Sequence, residues 1–203
     1  MDIAQNAALV VIDVQKGFDD PVHWGPRDNP AAEENIAALI DAWQSTGRPV
    51  VFVRHDSPKP NSPLRPGQEG NDLKDVVASR RGKGSGPEVL ITKTVNSAFY
   101  GTPDLKEWLD AVAHGDAAEG QGRQLVVTGI QTNLCCETTA RMGGNLGYEV
   151  FFALDATHTF DLEGPEGWKL TAQELARATA VSLHGGGFAK VVTTEELVAA
   201  ASS

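Results

Sequence analysis

Apolar positions along this 203-residue chain fall into two alternating kinds of run. The first kind is short, nearly continuous and rich in β-branched residues, the pattern of a strand buried on both faces of a parallel sheet. Such runs lie at residues 8–14 (ALVVIDV), 49–55 (PVVFVRH), 88–93 (EVLITK), 124–129 (QLVVTG), 148–155 (YEVFFALD) and 189–194 (AKVVTT). Between them the apolar spacing lengthens to three and four, which predicts helices with one buried face. Ile36, Leu39, Ile40 and Trp43 make one such face, with Asn29 as the expected cap, Pro30 in the first turn and Gly47 as the stop. Leu105, Trp108, Leu109 and Val112 make another, opened by Thr102 and Pro103. A third helix follows the strand that ends at Gly129 and runs to about Gly147. A fourth extends from a Thr171 cap to His184, stopped by the glycines at 185–187, and a short helix closes the chain.

Strands alternating with helices predict one doubly wound α/β domain over residues 1–203, a parallel sheet covered on both faces. The chain has no internal repeat and no low-complexity tract. Two connections, residues 55–87 and 156–169, are long for a compact domain and are expected to serve as lids or binding loops.

Composition narrows the possible partners. Hydrophobic residues at 41% and charged residues at 22% fit an ordinary soluble globular chain. Seventeen basic against 27 acidic residues give a net charge of -10, a field that repels nucleic acid and anionic membrane. No apolar run approaches the ~20 residues of a membrane helix, and the N-terminus lacks the basic region and cleavage site of a signal peptide. The only two cysteines, Cys135 and Cys136, are adjacent. A bridge between neighbours would close a strained ring incompatible with a helix, so free thiols and a reducing, cytoplasmic setting are expected.

In open α/β sheets, ligands bind outside the carboxyl ends of the strands. Asp13 ends the first strand, Lys93 ends the third, and the cysteine pair follows the fourth by a tight turn. Each alone has an ordinary structural explanation. Aspartate caps turns, lysine is commonly a solvated charge, and free cysteine is among the most buried residue types. Their convergence on one edge is what favours a site. With Thr132 or Asn133 as the helix cap, Cys135 falls in the first turn, where unpaired N–H groups and the helix dipole are expected to lower its pKa toward neutrality or below. The same N–H groups can receive an oxyanion. Cys136 lies roughly 100° around the helix, so one thiol faces the crevice and the other packs, but spacing alone does not decide which.

The motifs DVQKGF (13–18), KTVNSAF (93–99) and GIQTNLCCETTAR (129–141) resemble those of the isochorismatase-like cysteine hydrolases. In that family an Asp is followed two positions on by Gln, a Lys by Ser-x-Phe, and Thr-x-x-Cys by Thr-x-Arg. Thr132 sets the register; Thr139 and Arg141 complete it. The resemblance implies six parallel strands in the order 3-2-1-4-5-6 and a catalytic triad of Asp13, Lys93 and Cys135. It makes Cys135 the nucleophile and Cys136 an apolar filler. It further implies a cis peptide before residue 131 and an oxyanion received by the N–H groups of Leu134 and Cys135. The implied reaction is hydrolysis of a small amide, lactam or carbamoyl C–N bond through a thioester.

Gln15, Phe18, His55, Phe99, Gln131, Thr132, Leu134 and Phe160 are the further candidates for substrate contact, and DATHTFD (155–161) resembles a lid-side loop of some members. Nicotinamidases of the family carry an Asp-x-His…His metal set after the second strand. Here that stretch offers His55 and Asp56 but no second histidine before the third strand, so no metal and no cofactor are expected. The expected partners are a small-molecule substrate and further copies of this chain, as a dimer or tetramer. Two other readings are vinyl-ether hydrolysis by acid catalysis from Asp13, and a thiol-based binding or redox protein on the same scaffold. Two cysteines without nearby histidines make a poor zinc site.

Overall fold

A computed structural model describes residues 1–114 and 123–202. Six strands form the central sheet: β1 (Ala8–Ile12), β2 (Val50–His55), β3 (Glu88–Lys93), β4 (Gln124–Ile130), β5 (Glu149–His158) and β6 (Lys190–Val192). All neighbouring pairs are parallel and the order is β3-β2-β1-β4-β5-β6, the order that the resemblance implies.

Side chains alternate across each strand, and that alternation divides the core. Leu9, Val11, Val50, Phe52, Val126 and Phe151 face α1 (Ala32–Ser45) and α4 (Thr194–Ala201), which contribute Ile36, Leu39, Ile40, Trp43 and Leu197. Ala8, Val10, Ile12, Val51, Val53, Leu125, Val127 and Phe152 face the opposite layer. There α2 (Glu137–Asn145) and α3 (Ala172–Gly185) supply Ala140 and Leu183, and the helical turn Leu105–Trp108 supplies Leu105. Every residue of β1 and β4 is buried, which explains their unbroken apolar sequence. Trp43 is fully buried and its Nε1 donates to the Ala7 carbonyl at 2.9 Å, so it packs and satisfies its one polar group together. Among the described residues no helix is long and apolar enough to cross a membrane.

Several boundaries differ from the sequence reading, each because a distant contact wins over a local signal. The helix expected to start at Asn29 starts at Ala32, with Ala31 as its N-cap. Asn29 instead takes a left-handed φ of 43°, and its Nδ2 donates to the Asp155 and Thr157 carbonyls at 2.8 and 2.6 Å. The turn at Leu105 is capped by Asp104, not Thr102, which pairs with Thr92 beside β3. β5 runs three residues beyond residue 155, with a register shift against β4 between Val127 and Gly129. The loop expected at 156–169 is therefore largely structured, as strand and then as a two-stranded hairpin of Leu162–Glu163 with Lys169–Leu170. β6 is only three residues long, because Thr193 is the cap of α4 in a reciprocal bond with Glu196.

The long connection after β2 is folded back on the sheet. Buried Asn71 donates from Nδ2 to the His55 and Leu64 carbonyls, each at 3.0 Å. Gln15 clamps the same region: Nε2 donates to the His55 and Asn71 carbonyls, and Oε1 accepts from the His55 N–H. That connection becomes one wall of the cavity at the sheet's carboxyl edge.

Candidate active site

The backbone around the first strand end prepares the site. Asp13 has φ 52°, a left-handed conformation that non-glycine residues adopt at a cost and that clusters at functional positions. Next to it Gly129 has φ 123°, and a Cβ there would lie 2.0 Å from the Ile12 carbonyl oxygen. Only glycine lets β4 approach β1 this closely where the two strands deliver their side chains. The Ile130–Gln131 peptide is cis. The following residues Thr132–Cys136 form a wide π turn with Gln131 as N-cap, where the sequence suggested Thr132 or Asn133, and α2 continues from Glu137 to Asn145.

These elements bring Asp13, Lys93 and Cys135 together. Lys93 Nζ donates to Asp13 Oδ2 at 2.5 Å, to Cys135 Sγ at 3.3 Å, and lies 3.2 Å from His55 Nδ1. An ammonium has three hydrogens and no acceptor, so this set uses all three. Both side chains of the Lys93–Asp13 pair are fully buried. Burial works against the Lys93 charge, but Asp13 and then Cys135 outweigh it and hold its pKa above the ordinary value. Asp13 Oδ1 is buried and has no hydrogen-bond partner among the described residues.

The two thiols have separate surroundings. Cys135 lines a cavity of about 510 Å³ together with Asp13, Phe18, His23, Trp24, His55 and Asn96. Cys136 is fully buried in the core layer of α2. The expectation of a lowered Cys135 pKa is overturned. Burial, and next the Asp13 charge, push the thiol up to about 12 against the opposing pull of Lys93. That balance favours the protonated thiol at neutral pH. The Leu134 N–H is also engaged, donating to the Gln131 carbonyl at 3.2 Å.

The candidate contacts divide. Phe18, His55, Gln131 and Leu134 line the cavity. Gln15, Phe99, Thr132 and Phe160 do not. Gln15 is fully buried in the clamp described above. Phe99 packs in the α2 layer with its ring 5.8 Å from that of Tyr148. Thr132 donates from its hydroxyl to Thr157 Oγ1, and Phe160 stacks behind Phe18 and Trp24. Thr139 and Arg141 are scaffold: Thr139 Oγ1 accepts from the Ala98 N–H, while Arg141 bonds Glu137 and Ser182.

Sequence reasoning missed His23, Trp24 and Asn96, whereas the 57–64 stretch of the wall lies in the 55–87 connection expected to be a binding loop. The helix that carries His23 and Trp24 spans only Pro21–Trp24, too short for periodicity to register. Asn96, whose Oδ1 is 3.8 Å from Cys135 Sγ, was accessible from its place three residues after Lys93 in the turn leaving β3.

Asp13, His55 and Cys135 hold donor atoms within 4.8 Å of one another, a spacing compatible with a metal. The set does not fit one, because the Lys93 ammonium already sits against all three. The family's other ligand set is equally unfit: Asp56 is paired with Arg54 at 2.8 Å and no second histidine follows it before β3. Two roomier hollows, of about 1040 and 1020 Å³, lie elsewhere and contain no thiol.

Comparison with known proteins agrees over the whole length. The Isochorismatase domain family matches residues 7–196. The isochorismatase family protein YrdC of Bacillus subtilis (strain 168) is 37% identical over 194 residues, 96% of this chain and 95% of its own. Nicotinamidase 3 of Arabidopsis thaliana is 31% identical over 199 residues, 94% of this chain and 86% of its own. A solved structure from the isochorismatase family, from Chromobacterium violaceum ATCC 12472, superposes with a TM-score of 0.85 at 37% identity, covering 100% of this chain and 97% of that one.

Proposed function

The chain belongs to the isochorismatase family of hydrolases, and from that premise we propose that it cleaves the C–N bond of a small amide, lactam or carbamoyl compound through a thioester on Cys135. One observation carries the reading: the single thiol on the cavity touches a buried lysine–aspartate pair whose second carboxylate oxygen has no hydrogen-bond partner among the described residues. The similarity to a nicotinamidase supports amide bonds as the target.

The raised thiol pKa sets the order of events. A resident thiolate is too costly in this buried, carboxylate-faced position, so the proton leaves Cys135 for Asp13 as sulfur attacks the carbonyl carbon. Lys93 stays protonated throughout and holds the charge developing on sulfur beside that on Asp13. The carbonyl oxygen becomes an oxyanion against the backbone N–H groups of the 131–135 turn, the Leu134 N–H turning from its long bond to Gln131. Asp13 then passes its proton to the departing nitrogen as the C–N bond breaks. A water attacks the thioester, gives a proton to Asp13, and the acid leaves as the thiol recovers that proton. The chemistry needs one thiol, and Cys136 is fully buried and does not line the cavity, which removes support for a vicinal-thiol binding or redox role.

The test is turnover of a panel of small primary amides, lactams and carbamoyl compounds, read as ammonia or amine release, with acyl-enzyme trapped on Cys135 by rapid acid quench and mass spectrometry. Release without any adduct on Cys135, and undiminished in Cys135→Ala, would sink the proposal.

A further inference from the structure

His55 stands outside the three residues of the proposed triad, yet it touches their hub. Its Nδ1 lies 3.2 Å from Lys93 Nζ. Because an ammonium can only donate, the contact is a hydrogen bond only if Nδ1 carries a lone pair, so the proton of the neutral ring sits on Nε2. The Val95 backbone, in the turn that carries Asn96 to the thiol, also faces the ring. The His55 backbone is itself immobilised on both sides, its N–H and its carbonyl both bonded to buried Gln15. A ring held at its backbone thus abuts the lysine that lies between Asp13 and Cys135.

We propose that His55 is a positioning residue: its Nδ1 lone pair is the third acceptor that fixes the Lys93 ammonium between Asp13 and Cys135. The inference rests on the proposed thioester chemistry. With one acceptor missing, the ammonium is free to rotate or to lean wholly onto Asp13, and the Lys93–Cys135 contact at 3.3 Å is the weakest to lose.

The proposal requires a neutral ring. Protonation puts an N–H on Nδ1 facing the Lys93 ammonium, replacing an acceptor with a repelling charge. The groups around the ring are Lys93, Asp13 and Asp56, with the Cys135 thiol, Lys59 and His23 on the same cavity. Burial and then Lys93 favour the neutral ring, while Asp13, Asp56 and the Val95 backbone oppose them; the balance lies below the ordinary value of 6.5. The acid side of the rate profile should therefore contain a step from His55.

His55→Leu removes the acceptor, and His55→Asn keeps one near the Nδ1 position without a titrating group. On any amide that is turned over, His55→Leu should lower kcat about ten- to a hundredfold, the worth of a hydrogen bond to a charged group, with KM changed less than threefold. His55→Asn should lose less than His55→Leu, and its acid limb should move to lower pH. Thermal melts of both variants separate a folding defect from a rate defect. Equal losses in the two variants with an unmoved acid limb would overturn the proposal, as would an undiminished His55→Leu. Cys135→Ala, assayed beside them, keeps the two readings distinct: its full activity would sink the thioester chemistry itself, whereas an inactive Cys135→Ala with wild-type-like His55 variants sinks only the role of His55.

Discussion

Two charge clusters, one around a buried ion pair and one partly exposed, flank the same aromatic wall. On the cavity side Asp13, Lys93, His55 and Cys135 meet. On the far side, reached through His158 and Phe160, Glu33 meets Arg27, Lys74 and Asp19. Both clusters balance their formal charge, but they differ in what they leave open. Glu33 accepts from Arg27 through both oxygens at 2.8 Å and from Lys74 at 2.7 Å, while Lys74 also donates to Asp19 at 2.6 Å. Burial alone would raise the Glu33 pKa, yet Arg27, His158 and Lys74 together pull it far below the carboxylate range. Asp13, more deeply buried, has one oxygen bonded to lysine and one bonded to nothing among the described residues. A buried unpaired acceptor costs free energy, and such exceptions call for a reason. On the proposed chemistry the reason is a proton to be received: the closed cluster would hold the fold, and the open one would react.

The largest effect that can break this contrast is loss of the thiol. Cys135→Ala should reduce amide turnover by about 10⁴-fold or more, as removal of a nucleophile does. Cys136→Val should keep most of the rate, since that side chain only fills core volume. Steady-state release on the same substrate compares them, and the opposite pattern in two folded variants would reverse the assignment.

Next comes the open oxygen. Asp13→Asn keeps the shape but cannot shuttle a proton, and should cost about 10²–10⁴-fold in kcat. The same variant should ease ionisation of Cys135, because the Asp13 charge is the second cause of its raised pKa. Alkylation of Cys135 against pH should accordingly shift to lower pH in Asp13→Asn and to higher pH in Lys93→Met. Shifts in the same direction would show that the two charges do not act on the sulfur as the geometry requires.

That labelling experiment also marks where the sequence stops being informative. Strand positions, sheet order and the meeting of Asp13, Lys93 and Cys135 follow from local runs and three motifs. The thiol's proton affinity does not. A helix-start argument uses the few N–H groups near Cys135, whereas burial by the whole fold and a carboxylate 122 positions earlier decide the outcome. Asn29 teaches the same lesson. It carries a local cap signal, but carbonyls of Asp155 and Thr157 take its side chain. Of the aromatic wall, Phe18 is legible in the sequence but Trp24 is not, because it sits on a single helical turn, and Phe160 stands one ring behind the pocket that the sequence suggests for it.

The closed cluster should fail differently from the open one. Glu33→Gln leaves Arg27 and Lys74 short of a carboxylate and should cost about 2–3 kcal/mol of stability. This is below the roughly 3–5 kcal/mol of a fully buried pair, because 22% of the Glu33 side chain is exposed. Its kcat at a temperature where it is folded should stay within about threefold of wild type. Denaturant titration and turnover on one preparation decide this; a large loss of kcat with normal stability would mean that the second cluster is not merely structural.

The smallest effect separates the clusters most finely, because each contains one histidine, His55 half-buried and His158 fully buried. His55 and His158 both have pKa values lowered from 6.5, with burial the first cause in each. A histidine whose folded pKa is depressed binds fewer protons in the fold than in the unfolded chain. Its stabilising contribution is therefore complete above about 6.5 and is lost as pH falls below that value, by at most about 1.4 kcal/mol per pH unit. For a chain of this size 1 kcal/mol is about 2–4 °C in Tm, so melts between pH 7.5 and 5.5 can resolve it, and that window lies above the range where carboxylates titrate. His158 touches Glu33 at 3.6 Å and Phe160, but no residue of the reacting cluster. Replacing it by Asn should flatten the fall of Tm with acid while leaving the acid limb of kcat where it is in wild type. His55→Asn should flatten the Tm slope and move the acid limb as well. If the His158 variant moves that limb, protonation behind the aromatic wall is felt at the thiol, and the two clusters are one coupled system.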